Sequence, residues 1–310
     1  MPKYLDPKND LTFKRVFGEH KRLCMSLINS ILPLDYPVVS IEYQTGELLP
    51  ELVDVLRNTI VDVRCTDSEG QQFLVEMQLN WSDTFKNRVL LNASKAFVLQ
   101  LEKAQKIKLL KPVFSLNFVN KIFEKSPEME NEYFHHYKIV NIKDTKKQIK
   151  GLEFLFVELP KFKPLNRAEK KLHDLWLRFL TEVDESTENI SEDLLENELI
   201  REAVGYMEKA AYTKEQLMAY DKFKIDILTA EGMLEEAEEK GIEKGIEKGI
   251  EKGIEIGVEK GKGQGEKRNQ IRTIENCVRE GFSIDIIAKI TGLTTAEIMK
   301  IISDENLKTI

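Results

Sequence analysis

TIVDVRCTDSEGQQFLVEMQL, residues Thr59 to Leu79, reads as two strands, Thr59–Thr66 and Gln71–Leu79, joined by a tight turn. Side chains alternate along a strand. Val61, Val63 and Cys65 therefore share one face of the first strand, with Ile60, Asp62 and Arg64 on the other. In the second strand Phe73, Val75, Met77 and Leu79 oppose Leu74, Glu76 and Gln78. Each strand thus carries one acid on an otherwise usable face.

Register decides whether the acids meet. A loop of Ser68, Glu69 and Gly70 puts Gly at the third position, where three-residue hairpins want a left-handed backbone. Asp67 then pairs with Gln71, and the ladder sets Asp62 opposite Glu76 on the same face. A four-residue loop would instead set Asp62 across from Met77. Directly opposed residues have Cβ atoms about 5 Å apart, so two carboxylates there repel. A hard divalent ion that takes oxygen ligands, Mg²⁺ or Mn²⁺, resolves the repulsion. Alternatively, the acids lie on a solvent-facing side of the sheet with basic partners such as Arg64.

The flanking sequence extends this hairpin into a mixed α/β unit. Asp10 to about Leu32 predicts a helix with Asp10 as N-cap and a stripe of Phe13, Val16, Phe17, Leu23, Leu27, Ile28 and Ile31; Pro33 ends it. Val38–Tyr43 is a short strand, Asp83 to about Lys106 a long helix, and Pro112–Phe118 a buried strand. Lys138–Ile142 and Leu152–Leu159 are further strands, and the α/β unit closes near Pro164. Beyond it, Asn166–Leu180, Glu192–Glu208 and Thr213–Ala230 predict helices.

The order helix, strand, D-strand, E-x-Q strand, helix resembles the PD-(D/E)XK restriction-endonuclease-like fold. NDLTFKRVFGE, IVDVRC, FLVEMQ and the following helix with Arg88 resemble the recombination-promoting nuclease and transposase family of that superfamily. The resemblance covers nearly the whole chain, including the C-terminal repeat and tail. It implies a metal-dependent DNA endonuclease with Mg²⁺ (or Mn²⁺). Asp62 and Glu76 match the metal-binding acids, with the Met77 carbonyl as a further ligand. Gln78 stands where most of the superfamily has the catalytic Lys. Asp10 and Lys14 match the D-x-x-F-K motif, as accessory acid and phosphate contact, and Arg88 matches a phosphate-holding base. Val61 replaces the Pro of the superfamily's name, and Ala104 and Ile107 stand where Gly and Tyr are common. The exchange of Lys for Gln78 leaves a second reading open, a catalytically weak or inactive DNA-binding scaffold descended from a nuclease.

Downstream, Gly241, Gly245, Gly249, Gly253, Gly257 and Gly261 recur every fourth residue, mostly followed by Ile. As a helix, six interior Gly would cost ~5 kcal/mol relative to Ala. Packing of a second helix on the Gly stripe would offset that, which predicts a homo-oligomer; a charged flexible linker is the alternative. The tail EGFSIDIIAKITGLTTAEIMKII predicts two short helices joined at Gly292 and capped by Ser283 and Thr294. It is similar to the helix-turn-helix arrangement but offers few groups for base edges, which favours a packing module over a sequence reader. The expected organisation is 1–164 nuclease domain, 165–230 helical extension, 231–265 repeat helix and 266–310 helical module.

The 310 residues carry a net charge of −7, so bulk charge does not announce a nucleic-acid binder. Distribution is more telling: Thr84–Lys171 holds 19 Lys/Arg against 9 Asp/Glu, whereas Thr181–Glu202 holds 9 acids against one Arg. This asymmetry suggests a basic face in the first half; a Lys-rich solvated surface is the alternative. Cys24, Cys65 and Cys277 are widely spaced, which excludes a Cys-based zinc site and predicts buried thiols in a reducing compartment. His135 and His136 read as a solvated loop pair. No apolar run approaches the ~20 residues of a membrane span, and MPKYLDPKND lacks a signal-peptide core. The chain is expected in the cytoplasm, without a membrane partner.

Overall fold

The computed structural model describes residues 3–44, 62–102, 107, 110–164 and 171–305. Thr59, Ile60, Val61 and Ala104 lie outside the described residues, as do the ends of two predicted helices, near 106 and 166. Two compact units are present, Met1–Glu231 and Gly232–Ile310.

The first unit is built on a six-stranded mixed sheet. Its strands are β1 (Ile41–Tyr43), β2 (Val63–Asp67), β3 (Gln72–Gln78), β4 (Val113–Val119), β5 (Phe134–Asn141) and β6 (Asp144–Glu158), in spatial order β1-β2-β3-β4-β6-β5. β3, β4 and β6 run parallel, and antiparallel pairs finish both edges. All seven residues of β4 are buried, as its central place requires.

The hairpin has the register that its turn chemistry demands. Val63 pairs with Val75, Cys65 with Phe73, and the Asp67 N–H donates to the Gln71 carbonyl at 3.0 Å. Gly70 sits at φ 83°, the left-handed conformation that the third loop position needs. Extending this ladder by one residue sets Asp62 against Glu76.

Helices cover both faces. α1 (Asp10–Phe13), the turn Lys14–Gly18, α2 (Lys21–Ile31), α4 (Leu172–Glu182) and α6 (Glu198–Gly205) bring Phe13, Phe17, Leu27, Trp176, Phe179 and Ile200 into one core with Val63, Cys65, Phe73 and Val75. The helices after Pro164 thus share the core of the sheet. On the opposite face α3 (Asp83–Val98) lays Ala93 and Ala96 over Leu74 and Val113, and Phe85 and Val89 over Val119 and Phe156.

Several local expectations are corrected. The first helix is capped by Asn9, whose side chain accepts from Leu11 N–H at 3.0 Å; Asp10 is already inside it. It is also not continuous. α1 runs into a π-turn, Lys14–Gly18, and breaks at His20 before α2. The predicted helix 192–208 breaks at Asn197, which caps α6 by accepting from Leu199 and Ile200, leaving α5 as Glu192–Glu196. His135 and His136 are not in a loop. They alternate on β5, with His135 buried against Glu158 and His136 half-buried beside Glu153, each at 2.8 Å. β6 begins at Asp144, eight residues earlier than Leu152, because its first half pairs with β5 as an exposed Lys-rich hairpin with no apolar face to announce it.

All three cysteines are buried and unpaired. One helix, α7 (Lys214–Arg279), runs without interruption through the Gly repeat. α8 (Ile284–Thr291) ends at Gly292 with φ 71°, and a full capping box of Thr294 and Glu297 opens α9 (Thr295–Asp304). Ile274, Cys277, Ile287 and Ile298 form the small core of the second unit. Among the described residues no helix is long and apolar enough to cross a membrane.

Candidate active site

The end of the hairpin away from its turn gathers the charged residues. Asp62 immediately precedes β2, and its Oδ2 accepts from the Met77 N–H at 2.7 Å, which fixes the carboxylate beside β3. The π-turn brings a second group from below. Lys14 Nζ lies 2.6 Å from Asp10 Oδ1 and 3.7 Å from Asp62 Oδ1. Such single wide turns shift the following side chains around the helix axis and often mark functional sites. Here the Tyr43 hydroxyl, donating to the Phe17 carbonyl at 2.7 Å, ties the wide turn to β1.

α3 supplies the third side. Ser82 caps it by accepting from Phe85 N–H at 3.2 Å. Arg88 and Asn92, one turn apart, then face β3 together. Asn92 Nδ2 donates to Glu76 Oε1 at 3.1 Å, and Arg88 donates to Gln78 Oε1 at 2.6 Å while lying 3.9 Å from Glu76 Oε2. Arg64 donates to Gln72 at 3.0 Å, so it is not the hydrogen-bonding partner of either acid.

Electrostatics follow from burial. Glu76 is 3% exposed. Burial pushes the Asp62 carboxyl up to about 7, against the Met77 N–H and Lys14, with Asp10 and Glu76 adding repulsion. Burial also pushes Glu76 up, opposed by Arg88 and Asn92. Two carboxylates desolvated in this way could serve as ligands to a cation. Among the described residues no group of three or more His, Cys, Asp or Glu forms a full protein cage. Two carboxylates plus a backbone carbonyl suit an ion such as Mg²⁺, which keeps several waters and needs few protein ligands.

The sequence profile of the PD-(D/E)XK nuclease family transposases matches residues 7–230. The chain belongs to this family. The match spans the whole sheet, the flanking helices and the start of α7. No curated protein and no solved structure matches significantly.

Within this member of the PD-(D/E)XK nuclease family, the structure joins Asp10, Lys14, Asp62 and Met77 in one chain of contacts at the hairpin end. It joins Glu76, Gln78 and Arg88 in a second. Ile107, at a position singled out in the sequence, is 76% exposed and enters neither group. Sequence reasoning missed Asn92. It is fully buried, holds Glu76, and its Oδ1 has no hydrogen-bond partner. Its signal was its place four residues after Arg88 on the helix face toward β3, which a search for charged residues passes over.

Proposed function

We propose that this chain is a divalent-metal-dependent DNA endonuclease with little sequence preference, acting in recombination, transposition-like DNA movement or defence. The observation that carries this reading is the buried pair, Asp62 and Glu76, whose carboxyls are both pushed toward neutrality at the end of a hairpin. In this reading Asp62, Glu76 and the Met77 carbonyl hold Mg²⁺ or Mn²⁺. The bound ion would polarise the phosphodiester and lower the pKa of a water. Hydrolysis then adds that water across one P–O bond: its oxygen bonds to phosphorus, the bond to one sugar oxygen breaks, and that oxygen takes a proton. Lys14, with Asp10 as its anchor, and Arg88 would hold the phosphate. The same reading puts the site of action in the cytoplasm.

Supercoiled plasmid, incubated with the purified protein and Mg²⁺, Mn²⁺, Ca²⁺ or EDTA, tests this directly. Nicking in Mg²⁺ or Mn²⁺ and none in EDTA is expected. Tight DNA binding without nicking in any metal would replace the endonuclease by a nuclease-derived scaffold, the reading that Gln78 motivates.

Phosphate contacts should dominate DNA affinity. Lys143, Lys146, Lys147 and Lys150 are exposed on the β5–β6 hairpin within the basic segment. With about six such contacts, affinity should fall on the order of 1,000-fold between roughly 50 and 200 mM salt and vary little with sequence. A salt-independent binding constant in fluorescence anisotropy would contradict this.

Self-association is proposed through the repeat of α7. Ile242, Ile246, Ile250 and Ile254 are each more than half exposed, and a Cβ at any repeat Gly would meet nothing within 4 Å. Rows of residues four apart form a ridge of Ile beside a groove of Gly, and such ridges and grooves interlock at a crossing near −50°. At about 100° per residue, the order around the helix is Lys, Gly, Ile, Glu. In a parallel two-fold pair, Ile meets Gly and Lys meets Glu on both flanks; an antiparallel pair sets like charges together. Sedimentation should therefore give a full-length dimer, reduced to monomer by Ile246→Glu with Ile250→Glu. A wild-type monomer at micromolar concentration would end the idea.

A further inference from the structure

We infer that Arg88, acting through Gln78, supplies the positive charge that this site lacks at the lysine position. The inference rests on the endonuclease reading above and assigns Arg88 a role beyond holding the DNA backbone.

Gln78 shares the Glu76 face of β3, two residues further along the strand. Its amide is neutral, so by itself it cannot balance charge that builds on a phosphate oxygen during hydrolysis. Arg88 reaches it with a 2.6 Å hydrogen bond to Oε1. That bond orients the amide, because the oxygen must face the guanidinium and the NH₂ group must face away. The amide NH₂ is thus left as a donor, and the cation on its oxygen polarises the amide into a stronger donor. Charge and contact, which one lysine would combine, are divided between two side chains.

The surroundings favour Arg88 over the other nearby base. Lys14 is compensated by Asp10 at 2.6 Å. Arg88 spends its short bond on a neutral amide, and Glu76 is its one carboxylate within 4 Å among the described residues, at 3.9 Å. The guanidinium carbon lies 5.0 Å from the Phe85 ring centroid, a cation–π contact that holds the group in place. Its Nε is buried with no partner, so the side chain is held although one donor goes unused. Asn92 makes the hydrogen bond to Glu76, while Arg88 meets that acid only at 3.9 Å. Arg88 is 31% exposed, so its remaining donors can reach a bound phosphate.

The test is a rescue measured on the full chain with plasmid DNA. Arg88→Ala should lower the single-turnover rate in Mg²⁺ on the order of 100-fold, the loss typical of a donor that acts on developing charge. DNA binding in Ca²⁺ should change by only about threefold, because binding sums many phosphate contacts. Gln78→Lys in the Arg88→Ala background should recover about tenfold or more of the rate, since the charge returns to the strand. Melting temperature, read for each variant, checks the fold. Near wild-type cutting by Arg88→Ala would overturn the inference and leave the endonuclease reading standing. So would a variant of unchanged melting temperature that Gln78→Lys fails to rescue, or one whose DNA binding falls as far as its rate; either makes Arg88 a backbone contact only. A wild-type protein that never cuts would remove both readings.

Discussion

Asp62→Ala and Glu76→Ala should each reduce plasmid nicking on the order of 1,000-fold or more, since a metal contributes several kcal/mol to stabilising the transition state and each 1.36 kcal/mol is tenfold in rate. The fold should survive. Neither carboxylate is buried among apolar core residues alone: Asp62 holds the Met77 N–H and Glu76 the Asn92 amide, both at the open end of the hairpin. Asp62→Asn and Glu76→Gln keep hydrogen-bonding oxygens and remove the charge, so they separate loss of metal from loss of structure. Loss of nicking in all four variants with unchanged circular dichroism is the expected result. Nicking by any of them at near wild-type rate would mean that the acids do not hold the ion.

The hairpin was legible in sequence because three local rules converge on it. Alternation set the faces, Gly70 selected the three-residue loop, and the loop selected the register; the observed pairs Val63–Val75 and Cys65–Phe73 follow directly. The C-terminal caps at Gly292 and Thr294 were legible for the same reason. Other features depend on partners far away in sequence. Nothing local in KRVFG calls for a π-turn; it forms where Val16 and Phe17 pack into the core while Tyr43 takes the Phe17 carbonyl. The exposed half of β6 carries Lys at three of its first seven positions and reads as loop until β5 pairs with it. His135 looked solvated because its partner, Glu158, is 23 residues away. At the site, acids and bases were visible by type, whereas Asn92 acquires meaning only when α3 lies on β3.

Metal-free protein should lose stability as pH rises from about 4 to 7, and a divalent ion should reverse this. The Asp62 carboxyl moves from an ordinary 3.8 up to about 7, with burial as the largest cause. Between those values the folded state binds a proton that the unfolded state has released. Stability therefore falls with pH across that window, and the full cost is present above it. Glu76, also raised by burial, acts in the same direction. For Asp62 alone the difference is on the order of 2–4 kcal/mol, at 1.36 kcal/mol per unit and allowing for its remaining exposure. Asp62→Asn removes the term, so in EDTA the variant should melt above wild type at pH 8 and close to it at pH 4. Added Mg²⁺ or Mn²⁺ binds the ionised pair and stabilises the folded state by mass action, so the wild-type melting temperature should rise with metal at pH 8 and that of Asp62→Asn should not. Trp81 and Trp176, the two tryptophans of the chain, both lie in the first compact unit, so their fluorescence reports melting of the unit that carries the site. Other groups titrate over the same range, which makes the comparison with Asp62→Asn the decisive quantity. If wild type in EDTA gains stability relative to that variant between pH 4 and pH 8, the pair is not a strained anion site. A metal-induced rise that is equal in both proteins would place the ion elsewhere.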